Sequence, residues 1–254
     1  MPAFAIYPSL SGKSVVVSGG ASGIGAEMVR AFAAQGSRVG FLDFDEAGSR
    51  KLAEELTRDG ARVVHEFCDL RDIAATQAAI EALAAANGPA TVLVNNAARD
   101  DRHGYESVTP DYFDERIATN LKHMFFAIQA VAPGMIAAGG GAIVNMGSNS
   151  WWEAGGGMPV YTTAKAAVHG MTRSFARDLG PHRIRVNTVV PGWIMTERQK
   201  ELWVTDDAIA KHRDRQCLKD LIDPVYVARM VLFLASDDAA MCTANNYMVE
   251  AGSI

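Results

Sequence analysis

Tyr161 and Lys165 stand four residues apart in the run Tyr161-Thr162-Thr163-Ala164-Lys165. In a helix that spacing puts both side chains on one face. A free tyrosine, with a pKa of ~10, is a poor base at neutral pH. A neighbouring ammonium stabilises the phenolate and brings the pair toward the range useful for proton transfer. Taken alone such a pair is ordinary surface decoration; its company gives it weight. Ser148 lies thirteen residues earlier, where a hydroxyl can steady a reacting oxygen. Asn120, in Thr119-Asn120-Leu121, falls inside a helical stretch, an unfavourable place for a side chain that competes with backbone hydrogen bonding. The plain alternative for Asn120 is an exposed helix asparagine.

A second group sits near the start of the chain. Ser18-Gly19-Gly20-Ala21-Ser22-Gly23-Ile24-Gly25 joins a β-branched run to a helical one. Its glycines, Gly19, Gly23 and Gly25, do not follow the GxGxxG spacing, but the physics is shared. Missing Cβ atoms allow a tight turn and let a pyrophosphate approach the backbone, with helix N-terminal N–H groups aimed at it. Asp43 follows at the distance where an acidic side chain meets an adenosine ribose. A carboxylate accepts from two ribose hydroxyls and repels a 2′-phosphate. Neither the glycine loop nor Phe44 supplies an arginine to offset that, so NAD is expected over NADP. In Cys68-Asp69-Leu70, Asp69 is either a ligand for the adenine amino group or a cap for the next helix.

The elements that must position these groups alternate along the chain. Strands are expected at 14–18, 38–43, 62–68, 91–94, 142–146, 184–190 and 246–249. Helices are expected at 26–35, 46–59, 73–86, 110–136 and 161–179. Continuous apolar strands between helices imply a parallel sheet covered on both faces. The expected fold is thus α/β: a single-domain, doubly wound, Rossmann-like sheet spanning 1–254.

Composition agrees. At 49% hydrophobic and 21% charged residues, a chain of 254 residues has ample material for a packed core. Net charge is 24 − 29 = −5 with no basic run, which argues against a nucleic-acid partner. Cys68, Cys217 and Cys242 are too few and scattered for a disulfide framework or a zinc cluster, and no metal is expected. Met1 to Leu10, with Pro2 and Pro8, lacks the basic-then-apolar pattern of a secretion signal, and no run reaches 18 apolar residues. A cytoplasmic protein without membrane association is expected.

Gly19-x-x-x-Gly23-Ile24-Gly25, Asn95-Asn96-Ala97, Asn120, Ser148, Tyr161-x-x-x-Lys165 and Pro191-Gly192 together resemble the short-chain dehydrogenases/reductases. The resemblance spans nearly the whole chain. It implies that Tyr161 is the general acid/base, that Lys165 lowers its pKa and holds the nicotinamide ribose, and that Ser148 orients substrate. It further implies a water anchored by Asn120, hydride transfer to the pro-S face, and dinucleotide contacts from Asn96, Pro191, Gly192, Ile194 and Thr196. Two departures are small: Ser18 stands for the usual Thr and Ala98 for the usual Gly. A homotetramer paired through 110–136 and 161–179 is implied as well, although Met124, Phe125 and Phe126 could equally be core.

For the substrate, Ala5-Ile6-Tyr7-Pro8-Ser9-Leu10, Asp100-Asp101-Arg102-His103 and Gln216-Cys217-Leu218-Lys219 resemble bacterial aldose 1-dehydrogenases of the D-xylose type. That resemblance implies NAD-dependent oxidation of an aldose, D-xylose or L-arabinose foremost, to the aldonolactone. A pyranose needs polar partners and an aromatic face. Arg99, Asp100, Asn149, Trp151, Trp152 and Gln199 are the candidates, the alternative for the tryptophans being one buried and one interface ring. The charged segment 197–215, or 193–215 with its approach, reads as a lid. The rivals are a dehydrogenase or reductase of another alcohol or a 3-oxoacyl substrate, and a non-catalytic NAD-sensing protein.

Overall fold

Ser14–Ser18 (β1), Arg38–Asp43 (β2) and Arg62–Phe67 (β3) form where β-branched residues crowd, as do Val92–Asn95 (β4), Gly141–Met146 (β5) and Ile184–Pro191 (β6). With the short Asn246–Val249 (β7) they make one parallel sheet in the order β3-β2-β1-β4-β5-β6-β7. The structure is a computed structural model describing residues 4–253; residues 1–3, Pro2 among them, and residue 254 lie outside the described residues.

Alternation along β1 shows how the sheet feeds two cores. Val15 and Val17 join a cluster with Met28, Phe32, Phe41, Val231 and Leu232 on one face. Val16 joins Leu42, Leu83, Leu93, Ile128 and Ile143 on the other. Each face is then covered by helices. Gly23–Ala34 (α1) and Glu46–Arg58 (α2) contribute to the first cluster, and Ile73–Asn87 (α3) to the second. Sequence reading missed Pro224–Ala235 (α9), whose apolar run Val227 to Leu234 has no strong polar alternation; it packs on α1.

The stretch expected as one helix over 110–136 is Pro110–Ile117 (α4), a π-helical segment Ala118–Lys122, and His123–Ala137 (α5). Asn120 is the physical reason at hand: its Nδ2 donates to Arg116 O at 2.9 Å, inserting a side-chain contact into the helical ladder. Met124 is buried in the core, whereas Phe125 is 45% exposed and stacks near Phe175. Pro159–Leu179 (α6) carries the Tyr/Lys pair. The charged segment beyond β6 is two short helices, Glu197–Leu202 (α7) and Asp206–Arg215 (α8), neither with a buried residue. Among the described residues no helix is long and apolar enough to cross a membrane, and no metal-holding group of His, Cys, Asp or Glu is present.

Candidate active site

The carboxyl ends of β1, β2, β4, β5 and β6 border a cleft of about 1520 Å³ at the point where strand order reverses. The glycine loop forms one wall because nothing larger fits. A Cβ on Gly25 would lie 1.8 Å from Gly19 O, and one on Gly19 (φ +69°) would lie 2.8 Å from the Ala97 Cα. Ser18 uses its hydroxyl as the usual Thr would, accepting from the N–H groups of Asn96 (3.0 Å) and Ala97 (3.2 Å). Asn96 returns the contact, its Nδ2 donating to Gly19 O at 2.9 Å. Helices α2 and α3 are capped by the Asp45 and Asp72 side chains. Ser22, at the N-cap of α1, makes no side-chain cap, so the first N–H groups of α1 face the cleft.

Asp43 is aimed rather than loose. Its Oδ2 accepts from Ala21 N at 2.9 Å and its Oδ1 from Asp45 N at 3.0 Å, leaving lone pairs toward the cleft. Asp69 also lines the cleft but is held by Arg71, which lowers its pKa; the α3 cap is Asp72. Leu70, Ile24, Pro191, Gly192, Ile194 and Thr196 line it too. Thr196 additionally caps α7, its Oγ1 accepting from Gln199 N at 3.3 Å. A cradle without Cβ atoms, open N–H groups and an oriented carboxylate fit an extended anionic dinucleotide.

At the other end, β5 and α6 bring Ser148, Tyr161 and Lys165 together. Tyr161 faces the Ser148 hydroxyl, which donates to Ser150 Oγ at 3.0 Å. Burial of the phenol pushes its pKa up to about 12, Asp100 adds to that, and Ser148, Arg102 and Arg198 oppose it. This differs from the expected lowering by Lys165. The ammonium is 5.8 Å from the ring centroid and donates to Met146 O at 2.7 Å, so desolvation of the phenolate outweighs its attraction. Lys165 itself, 1% exposed, is brought down to about 7 by the same desolvation, with Asp100 opposing. Asn120 is fully buried rather than exposed: its Oδ1 accepts from Arg99 N at 2.8 Å, which fixes the loop after β4. His123, unnoticed in the sequence, grips the same loop from Nε2 to Ala97 O at 3.1 Å; burial and the Lys165 charge push its pKa down to about 4.

Asp100 and Gln199 meet across the cleft mouth. Asp100 Oδ2 accepts from Gln199 Nε2 at 2.8 Å and Oδ1 from Arg198, which also donates to Asp101 at 2.8 Å. Trp193 Nε1 donates to Gln199 Oε1 at 2.9 Å. Asn149 donates to Glu153, whose other oxygen takes Arg215 of α8 at 3.3 Å. The structure does not bring Trp151 and Trp152 to this wall. Trp151 meets Trp152 edge-on and His169 likewise, the latter with ring centroids 4.7 Å apart, and Trp152 is 65% exposed; Trp193 is the tryptophan that lines the cleft. Sequence reading placed Trp193, Arg198 and Arg215 within the expected lid without singling them out, and did not single out Glu153. Arg99 turns away from this wall, its guanidinium over the Phe44 ring.

The profile described as enoyl-(acyl carrier protein) reductase matches residues 19–253. A D-xylose 1-dehydrogenase of Caulobacter vibrioides is 51% identical over 98% of this chain and 98% of its own. A protein of Rhizobium meliloti named as a probable galactose dehydrogenase is 45% identical over 97% and 96%. Among solved structures, a blue fluorescent protein from a metagenomic library, in complex with NADPH, superposes with a TM-score of 0.89 at 34% identity, covering 96% of this chain and 98% of that one.

Proposed function

Since the chain belongs to the short-chain dehydrogenase/reductase family and is an oxidoreductase, we propose that it oxidises an aldose at C1 to the aldonolactone with NAD, D-xylose or L-arabinose being the substrate. The observation that carries the reading is the pairing of Tyr161 with Ser148 beneath a wall made of Asp100, Asn149, Glu153 and Gln199. Such a wall offers acceptors and donors to several hydroxyls at once. An acyl chain or a hydrophobic alcohol would strip water from those groups and offer no hydrogen bond in return. The likeness to the Caulobacter D-xylose 1-dehydrogenase supports the pentose.

Ser148 Oγ steadies the C1 oxygen while the Tyr161 phenolate takes its proton. The glycine loop and the α1 N-terminus hold the pyrophosphate of NAD, Asp43 accepts from the adenosine ribose hydroxyls, and Lys165 holds the nicotinamide ribose. The nicotinamide, when bound, supplies the acceptor for the hydride that leaves C1, so that C1–H and O1–H are both broken and a C1=O bond forms. Asn120 and His123 keep the loop after β4 in place behind Lys165. Residues 197–215 close over the sugar and exclude water. A redox sensor without turnover would have no use for the Ser148–Tyr161 contact.

Incubation with NAD and a panel of aldoses, secondary alcohols and 3-oxoacyl thioesters tests this. NADH formation with pentoses above the rest is expected, and a flat aldose response defeats the reading. The setting is a cytoplasmic homotetramer, for which exposed Phe113 on α4 and Phe125 on α5 supply apolar surface. Sedimentation as a 27.2 kDa monomer would remove that part.

A further inference from the structure

At the β2 end of the cleft stands a cation that sugar oxidation does not use. Arg99 follows β4, and its backbone N–H is pinned to Asn120 Oδ1 at 2.8 Å. From there its guanidinium reaches across to lie 5.2 Å from the centroid of Phe44, the residue after Asp43. The other arginines lining this end are engaged: Arg30 pairs with Glu55, and Arg71 with Asp69 and Glu115. Among the described residues no carboxylate pairs with Arg99. The aromatic face steadies the guanidinium by cation–π attraction and leaves its N–H edge available.

Asp43 cannot swing aside, because Ala21 and Asp45 each hold one of its oxygens. A 2′-phosphate on the adenosine ribose therefore meets a fixed negative charge. We propose that Arg99 receives that phosphate and offsets Asp43, so that the chain accepts NADP alongside NAD and Arg99 sets the ratio between them. A planar guanidinium presents two parallel N–H groups to a phosphate while its face stays on the Phe44 ring. This rests on the dinucleotide part of the reading above and not on its sugar.

The test is equilibrium binding of NADH and NADPH, followed by nicotinamide fluorescence without any sugar, to the wild type, Arg99→Gln and Arg99→Lys. The wild type is expected to bind NADPH within about tenfold of NADH. Arg99→Gln raises the NADPH-to-NADH ratio of Kd by about tenfold or more, the size of a lost charge-assisted contact. Arg99→Lys, which keeps the charge, falls between the two. An identical ratio in the wild type and Arg99→Gln overturns the proposal, whether both affinities hold or fall together. Dinucleotide binding without aldose turnover would strike the sugar reading alone, whereas a wild type that binds neither dinucleotide sinks both.

Discussion

Lys165 donates its hydrogen bond to the main-chain carbonyl of Met146, 2.7 Å away at the end of β5, and not to a carboxylate. A buried ammonium satisfied by a neutral acceptor keeps most of its desolvation penalty, which is why its pKa is brought down to about 7.

That penalty makes stability depend on pH. The folded pKa lies below the unfolded value, so the unfolded chain binds more protons between about pH 7 and 10, and wild-type stability rises across that window. Lys165→Met lacks this gain. The variant's stability relative to wild type should therefore fall from pH 7 toward pH 10 by about 1.4 kcal/mol per unit at most. Tyr161, pushed up to about 12, enters only above pH 10. Chemical denaturation at pH 7 and 9.5 measures the difference, and a constant offset would refute the assignment.

In the proposed reaction Tyr161 loses its proton to act as base in oxidation and carries it to act as acid in reduction. With its pKa raised to about 12, oxidation should still be climbing at pH 9 while reduction, whose proton donor stays protonated there, is flat with pH. Tyr161→Phe removes the proton acceptor and is expected to lower kcat by about 10³-fold or more while dinucleotide binding persists. Initial rates in both directions, with a binding titration, check the pair of outcomes. A variant retaining near-normal turnover would end the role.

Arg198 ties α7 to both Asp100 and Asp101. Because α7 and α8 bury no residue, polar contacts at the cleft mouth hold them in place, each worth about 0.2–1 kcal/mol. Arg198→Ala should speed amide exchange within 197–215 by about tenfold and raise KM for the sugar, with a change in Tm under about 3 °C. Exchange mass spectrometry reads this directly. Unaltered exchange there would mean that the pairs do not hold the segment.

His123 is fully buried, with its pKa at about 4. Here the unfolded chain takes up a proton below about pH 6.5 that the folded one refuses until about pH 4. The stability this contributes is complete above pH 6.5 and is lost on acidification, about 3 kcal/mol over the whole interval. His123→Phe should flatten the loss between pH 6.5 and 4.5, although it forfeits the contact with Ala97 O. Equal slopes for the two proteins in urea titrations would show that another group is responsible.

Much of the site could be read in advance because its determinants are local. A glycine that must lack Cβ, a carboxylate at the end of β2 and a Tyr/Lys pair at helical spacing each act within one element. Ser18, Asp43 and Ser148 lie where parallel strands end, and Lys165 reaches the end of β5 from α6.

The residue types and spacings by themselves determined the doubly wound sheet, the dinucleotide cradle and the Tyr161–Lys165–Ser148 constellation. Only the tertiary structure decided which long-range partners meet: Arg198 with Asp100 across 98 positions, Arg99 with Phe44, and Trp193 in place of Trp151 and Trp152 on the cleft. Periodicity carries the direction of a side chain within its own element. The loops after β4, β5 and β6 set which side chains converge, and their paths depend on packing that no local spacing records. The pKa of Tyr161 belongs to the same class, because desolvation is a property of everything folded around the phenol.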